Sequence, residues 1–400
     1  MICFVFPGQG SQRPQMGLPW ADQPSWELVE EASEVAQRDL SRLLLHAEAD
    51  ELSMTRNTQI ATFLTSMVIL DSIERIGISP QLCAGHSLGE YSALVAAGAV
   101  TFEGAVTLVC ERGEAMQVAA EENPGAMAAL LGADDESVRA LCSHIGDGIF
   151  VANYNSDGQT VLAGLTHAID IALSDARTFG IKRAVKIPVG GAFHTPLIVS
   201  AQARLSKALH ATRFYDSDIP VIANVDAEEH QSARSWPDLL SAQLCSPVLW
   251  RQTMNLIGAQ HPNLIVEVGP GGVLGGLLKR ALPEVPTVSV AQPSDLETLL
   301  SAVTAEGPFH DWATSHHGER FYASERIVVA THSGVFSPTL QPDPVAATKG
   351  QTIHVGDSLG KIGEHEVRSP FDGVLQGMIA VDGERVIMGQ PIAWLRNGVE

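Results

Sequence analysis

Two rhythms of apolar and polar positions organise the first three hundred residues of this 400-residue chain. Short apolar runs, Phe4 to Phe6 and Leu82 to Ala84, predict buried strands. Longer stretches with apolar positions three and four apart, Gln59 to Ile73, Glu90 to Ala97 and Glu103 to Ala120, predict helices. The pattern returns after residue 190 with a helix over Leu197 to Ala211 and strands at Val221 to Ala223 and Leu264 to Val268, the last running into Gly269-Pro270-Gly271-Gly272. Strands alternating with helices in this way predict an α/β core with a parallel sheet, built from residues 1–123 and 191–302.

Between those halves the order changes. Gly125 to Leu131 reads as a strand, Asp135 to Ile145 as a helix, Phe150 to Asn153 and Gln159 to Ala163 as strands, Thr166 to Phe179 as a helix and Arg183 to Pro188 as a strand. The order β-α-β-β-α-β is that of the ferredoxin-like split motif, which predicts a small inserted subdomain over 124–190 and a cleft between it and the core. Residues 303–325 carry His310, His316 and His317 but little periodicity, and read as a linker; adjacent histidines without ligand spacing give no metal site. From 326 to 400 short strands and turns follow one another, an all-β module.

Composition adds limits. With 45% apolar and 18% charged residues the chain is globular throughout, and its length calls for more than one core. A net charge of −21 argues against nucleic acid and anionic membrane as partners, since both require a dense positive field. No apolar stretch is long enough to span a bilayer, and Met1 to Phe6 reads as a first strand, not a signal peptide. Five scattered cysteines without C-x-x-C spacing suggest neither a disulfide framework nor zinc, and fit a reducing cytoplasm.

The chemistry gathers at Gly85-His86-Ser87-Leu88-Gly89, a G-x-S-x-G sequence between a strand and a helix. Flanking glycines relieve the crowding of a sharp turn that would expose the Ser87 hydroxyl as a nucleophile. The helix beginning near Leu88 would aim unpaired N–H groups at a developing oxyanion. Further along stand Phe6-Pro7-Gly8-Gln9-Gly10-Ser11-Gln12, Arg112 within Cys110 to Gln117, Gly191-Ala192-Phe193-His194-Thr195-Pro196, and Glu267-Val268-Gly269-Pro270-Gly271. In that order and at those separations they resemble the malonyl-CoA:acyl-carrier-protein transacylases and the related acyltransferase domains of polyketide synthases, over roughly residues 1 to 300.

The resemblance implies a hydrolase-like α/β core and a set of roles. Ser87 would form an acyl-enzyme, His194 would be its base, and the main-chain carbonyl of Gln243 would orient the histidine, so that altering the Gln243 side chain would be the milder change. The N–H groups of Leu88 and Gln9 would form the oxyanion hole. Arg112 would clamp the free carboxylate of a malonyl group; without the resemblance the default reading is a surface salt bridge to Glu111 or Glu114. Phe193 would crowd an α-methyl branch, and His86 would pack beside the acyl pocket. Asn153 and Asn155 would either face the cleft, contacting substrate or holding His86, or be structural turn residues.

No metal or redox cofactor is implied. The partners implied are malonyl-CoA and an acyl carrier protein, itself acidic, for which Lys182, Arg183, Lys186, Lys279 and Arg280 are the candidate docking cations unless they are simply solubilising. Residues 326–400 resemble a biotinyl or lipoyl carrier module whose hairpin, Lys361 to Val367, lacks the usual lysine motif, which implies an unmodified module serving a docking partner or self-association. Two alternatives stay open: an acyl hydrolase that unloads stalled carrier proteins, and a scaffold subunit docking through that module.

Overall fold

The computed structural model describes residues 1–217, 219–305, 325–339, 351–370, 373–387 and 389–396. The chain divides into two compact units, Met1–Ser315 and His316–Glu400. Strands of the first unit are, in chain order, β1 (Ile2–Phe6), β2 (Leu82–Gly85), β3 (Gly125–Ala133), β4 (Ile149–Ser156), β5 (Gly158–Leu165), β6 (Arg183–Ile187), β7 (Val221–Ile222), β8 (Glu229–His230), β9 (Leu264–Val268) and β10 (Thr287–Val290).

β1, β2 and β9 are apolar almost throughout and buried on both faces, the signature of strands inside a parallel sheet covered by helices. They occupy the middle of a six-stranded sheet ordered β10-β9-β1-β2-β7-β8. All its neighbours are parallel except β7 and β8, so the expected parallel sheet carries one short antiparallel edge. Phe4 and Phe6 enter the core on one face, with the helices Thr55–Arg75 and Phe102–Glu122; Cys3 and Val5 enter a smaller core on the other, against Trp250 and Leu278.

β3, β4, β5 and β6 form an antiparallel sheet ordered β4-β5-β3-β6. Ala126, Ala128, Leu130 and Leu162 point to one face, where the helices Asp135–Ile145 and Thr166–Asp175 close a separate core. Met127, Val161 and Ala163 point the other way and join the main core. The alternation along these strands thus builds a two-faced sheet whose second face walls the site described below.

The second unit contains β11 (Glu325–Val329), β12 (Gly334–Pro338), β13 (Thr352–Ile353), β14 (Ser358–Ile362), β15 (His365–Arg368), β16 (Gly373–Met378), β17 (Arg385–Val386) and β18 (Pro391–Arg396). They pair as two four-stranded sheets, β11-β18-β16-β13 and β15-β14-β12-β17, around Phe336, Leu359, Val367, Ile392 and Leu395. The run Val367 to Val374 is interrupted after Arg368, where Pro370 has no N–H to give a ladder. Lys361 lies on β14, exposed, opposite Glu366.

Of the expected linker 303–325, the first residues belong to the helix Asp295–Ala305 and the last begins β11; the stretch between, with His310, His316 and His317, lies outside the described residues. Among the described residues no helix is long and apolar enough to cross a membrane.

Candidate active site

The turn joining β2 to the helix Gly89–Ala96 is as tight as its glycines suggest. A Cβ on Gly85 would stand 1.9 Å from the Gly89 carbonyl carbon, and one on Gly89 would stand 2.0 Å from the Phe6 carbonyl oxygen. Only bare backbone fits, because β1 and the helix pass main chain to main chain. Ser87, between them, takes a left-handed φ of +53°, a conformation that costs an L-residue about 1–2 kcal/mol. Asn224 offsets that cost. Wholly buried, it accepts the Ser87 N–H at 2.7 Å through Oδ1 and donates through Nδ2 to the Gly85 carbonyl at 2.6 Å, splinting both sides of the turn.

His194 also has a left-handed backbone, φ +61°, and is buried. Its Nδ1 lies 2.8 Å from the Gln243 main-chain oxygen, a partner that can only accept, so Nδ1 carries the proton and donates. Nε2 therefore keeps its lone pair and accepts the Ser87 hydroxyl at 2.8 Å. A carbonyl dipole holds the tautomer, and among the described residues no carboxylate is bonded to the ring. Burial above all, then the neighbouring Arg112 charge, push the imidazole down to about 3, so the neutral form is the one present at physiological pH.

A pH dependence follows from that direction. A histidine titrating at its ordinary value would lose about tenfold of its free base between pH 7.5 and 5.5. The rate constant for acylation of the free enzyme, kcat/KM, is expected to fall by less than about twofold over that interval. Single-turnover acylation measured at both pH values checks this, and a full tenfold loss would contradict it.

Arg112 is 1% exposed, on the helix Phe102–Glu122. The two glutamates beside it are engaged elsewhere: Glu111 pairs with Arg204 and Glu114 with Arg56. Arg112 instead donates to Gln59 Oε1 at 2.6 Å, Gln243 Oε1 at 2.8 Å and Ser87 Oγ at 3.1 Å, with its guanidinium 5.5 Å from the Tyr91 ring centre. Each of those acceptors is neutral. A buried cation held only by neutral groups beside a serine hydroxyl has the chemistry to take up an anion.

Gln243 is more than a carbonyl. Besides accepting from Arg112, its side-chain Nε2 donates to the Ser87 carbonyl at 2.8 Å and to the buried carboxyl of Glu90. Removing this side chain would strand three buried partners, so its loss is expected to cost more than the main-chain role of Gln243 alone implies.

Ser87, His194 and Gln9 open onto a cavity of about 140 Å³ walled by Met116, Val161 and Phe193. Asn153, buried on β4, lines the same wall, and Asn155 Oδ1 accepts from His86 Nε2 at 2.9 Å, with His86 edge-on to Trp250. Burial lowers the His86 pKa, which leaves it neutral beside the serine. A second cavity of about 210 Å³ shares Gln9, His86 and Asn155 and is bordered by Gln159 and Arg280. Leu88 precedes the first turn of its helix, where N–H groups have no intrahelical partner. Of the other cations, Lys186 pairs with Asp170 and Lys182, Arg183 and Lys279 are exposed.

Sequence reasoning missed Gln59, Asn224 and Glu90. All three are polar residues inside apolar surroundings, and only Glu90, next to the G-x-S-x-G turn, carried a local signal.

Comparison with known proteins bears on all of this. Residues 3–301 match the acyl transferase domain family. The chain is 38% identical over 310 residues to the malonyl CoA-acyl carrier protein transacylase of Bacillus subtilis (strain 168), covering 76% of this chain and 98% of that protein. It is 39% identical over 307 residues to the Escherichia coli (strain K12) protein of the same name, covering 75% and 98%. Among solved structures, the acyl-carrier-protein S-malonyltransferase of Burkholderia pseudomallei 1710b superposes with a TM-score of 0.72 at 36% identity, over 74% of this chain and 98% of that one. A malonyl-transacylase solved in complex with a type II PKS acyl-carrier protein does so equally, at 0.72 and 36%, over 76% and 99%.

Proposed function

Because this chain belongs to the malonyl CoA-acyl carrier protein transacylases, we propose that its site moves a malonyl group from coenzyme A to the phosphopantetheine thiol of an acyl carrier protein, in fatty acid or polyketide synthesis, in two half-reactions on Ser87. In the first, Ser87 Oγ attacks the thioester carbonyl while its proton passes to His194 Nε2. The C–O bond forms, the negative charge collects on the former carbonyl oxygen, and the N–H groups of Leu88 and Gln9 stabilise it, each contributing on the order of 3 kcal/mol. The C–S bond then breaks, and the proton on Nε2 goes to the departing coenzyme A sulfur. In the second half, a carrier thiol gives its proton to Nε2 and attacks the serine ester, the C–O bond to Ser87 breaks, and Nε2 returns the proton to the departing Ser87 Oγ.

One observation carries the choice of a malonyl group. Arg112 is a fully buried cation, bonded to neutral acceptors, 3.1 Å from the nucleophile. An acyl group ending in a carboxylate supplies the missing charge at that distance; an uncharged one leaves it missing. Phe193, in the cavity wall, leaves little room for an α-branch. The second cavity, with Arg280 at its border, suits the pantetheine arm shared by both thiol partners. The chemistry so written uses no metal or redox group.

Finer readings of the fold go with this one. We read the six-stranded sheet as a hydrolase-like core, a reading supported by the serine on the turn after a central parallel strand. The order β4-β5-β3-β6 supports a ferredoxin-like subdomain. The paired four-stranded sheets of residues 325–396 support a carrier-like module, left unmodified because Lys361 sits within β14 and lacks the usual flanking residues. Five unpaired cysteines fit a cytoplasmic setting.

Intact-protein mass spectrometry tests the proposal. Mixing with malonyl-CoA is expected to add one malonyl group, and later addition of holo-acyl carrier protein to remove it while the carrier gains the same mass. An unmodified protein after incubation would overturn it.

A further inference from the structure

Glu90 lies in the first turn of the helix Gly89–Ala96, 1% exposed, and no step written above uses it. Both its oxygens accept. Oε2 takes a hydrogen bond from Gln243 Nε2, and Oε1 takes one from the Asn224 main-chain N–H at 3.2 Å. These partners are the two residues that hold the reacting groups: Gln243 bonds His194 Nδ1 and the Ser87 carbonyl, and Asn224 bonds the Ser87 N–H and the Gly85 carbonyl. The opposite end of the Gln243 amide receives Arg112. A primary amide is thereby inserted between a buried cation and a buried carboxyl, oxygen toward the first and nitrogen toward the second, with no second orientation that satisfies both.

We propose that Glu90 is a positioning residue of the acyl-transfer site, which through the clamped Gln243 amide couples recognition of the acyl carboxylate at Arg112 to the seating of Ser87 and His194. The inference rests on the malonyl-transfer reading and deepens it.

The charged and titratable groups facing Glu90 are Arg112, Asp226 and, on its own helix, Tyr91. Burial raises its pKa to about 8, Asp226 adds to the rise, and Gln243, Asn224 and Arg112 oppose it. The sign is that of a raised carboxyl: neutral through pH 7, ionised as pH passes about 8. While it is neutral, Arg112 faces the incoming carboxylate uncompensated. Once ionised, Glu90 offsets that charge through the same amide and competes with the substrate for it. Arrival of a malonyl group above pH 8 is therefore coupled to uptake of a proton by Glu90.

Single-turnover acylation of wild type and Glu90→Gln between pH 7 and 9.5, with malonyl-CoA and with acetyl-CoA, tests this. For wild type the apparent KM for malonyl-CoA is expected to rise about fivefold to tenfold across that range, and that for acetyl-CoA to stay level. Glu90→Gln cannot titrate and turns an N–H toward one of two donors. Its malonyl-CoA KM is expected to stay level with pH, while its maximal acylation rate drops about tenfold.

An identical pH-dependent rise in Glu90→Gln, or an equal rise with acetyl-CoA, would overturn the proposal, as would an unchanged maximal rate. Should Glu90→Gln not fold, calorimetry on Ser87→Ala at pH 8.5 in buffers of different ionisation enthalpy replaces it. Proton uptake on binding malonyl-CoA in excess of that with acetyl-CoA supports the coupling, and equal uptake overturns it. Failure of malonyl-CoA to acylate wild type at any pH would instead overturn the transfer reading beneath it.

Discussion

His194→Asn is expected to slow acylation of Ser87 by malonyl-CoA about 10³-fold, equivalent to about 4 kcal/mol of transition-state stabilisation. Asparagine is the replacement of choice because His194 sits at φ +61°, a conformation that asparagine adopts more readily than alanine. The size of the effect follows from the geometry. Nε2 is 2.8 Å from the Ser87 hydroxyl, and its tautomer is fixed from behind by the Gln243 carbonyl, so the lone pair is aimed at that hydroxyl before substrate arrives. A residual rate is expected to survive. Arg112 still donates to Ser87 Oγ and so still favours the alkoxide, and the oxyanion donors are untouched. Rapid-quench measurement of the acyl-enzyme, compared with Ser87→Ala as the zero, reads the difference; a loss below tenfold would remove His194 from the role of base.

Replacing Arg112 carries the second large effect, and its signature is selectivity. A charge-assisted pair between a guanidinium and a carboxylate in a desolvated site contributes about 1.5–3 kcal/mol. In Arg112→Ala the preference for malonyl-CoA over acetyl-CoA is expected to fall by about 10–100-fold, with most of the change in kcat/KM for malonyl-CoA. Because Arg112 also fills buried space against Gln59, Gln243 and Tyr91, the variant is expected to melt at a lower temperature as well. The ratio of the two donors separates the causes, since lost stability slows both equally. Unchanged selectivity in a folded variant would deny Arg112 its part in reading the acyl group.

Why the sequence revealed Ser87, His194 and Arg112 but hid their supports has a physical basis. The turn residues are dictated locally: Gly85 and Gly89 are needed because the backbones of β1 and the helix touch, and such close approach leaves a pattern of small residues that can be read directly. The alternation of strands and helices was legible for the same reason, each element carrying its own period. The supports are tied across the chain. Asn224 reaches Ser87 over 137 positions, the Gln243 side chain reaches it over 156, and Gln59 reaches Arg112 over 53, so no local rule marks these contacts.

Gln59 shows how a boundary was misjudged too. The helix begins at Thr55, four residues before the apolar pattern does, because Asn57 and Thr58 bond back to the Glu51 and Leu52 carbonyls and secure a polar first turn. Their burial is satisfied by hydrogen bonds, which hydropathy does not register. Arg112 misleads in the opposite sense: flanked by Glu111 and Glu114, it looks like an exposed ion pair, yet the helix turns those glutamates outward to other arginines and the guanidinium inward.

The place of β1 bears on how the molecule comes into being. It precedes both its neighbours in the chain, yet it lies at the centre of the six-stranded sheet with β2 on one edge and β9 on the other, β9 following it by about 260 positions. A ribosome adding about 5–20 residues per second leaves that second edge unpaired for on the order of 10–50 s. Throughout that interval Phe4, Val5 and Phe6 form an apolar edge that can associate with another nascent chain. Yield during rapid expression is thus expected to depend on the delay between β1 and β9, and slower synthesis at low temperature lengthens it while weakening the apolar attraction that makes it hazardous.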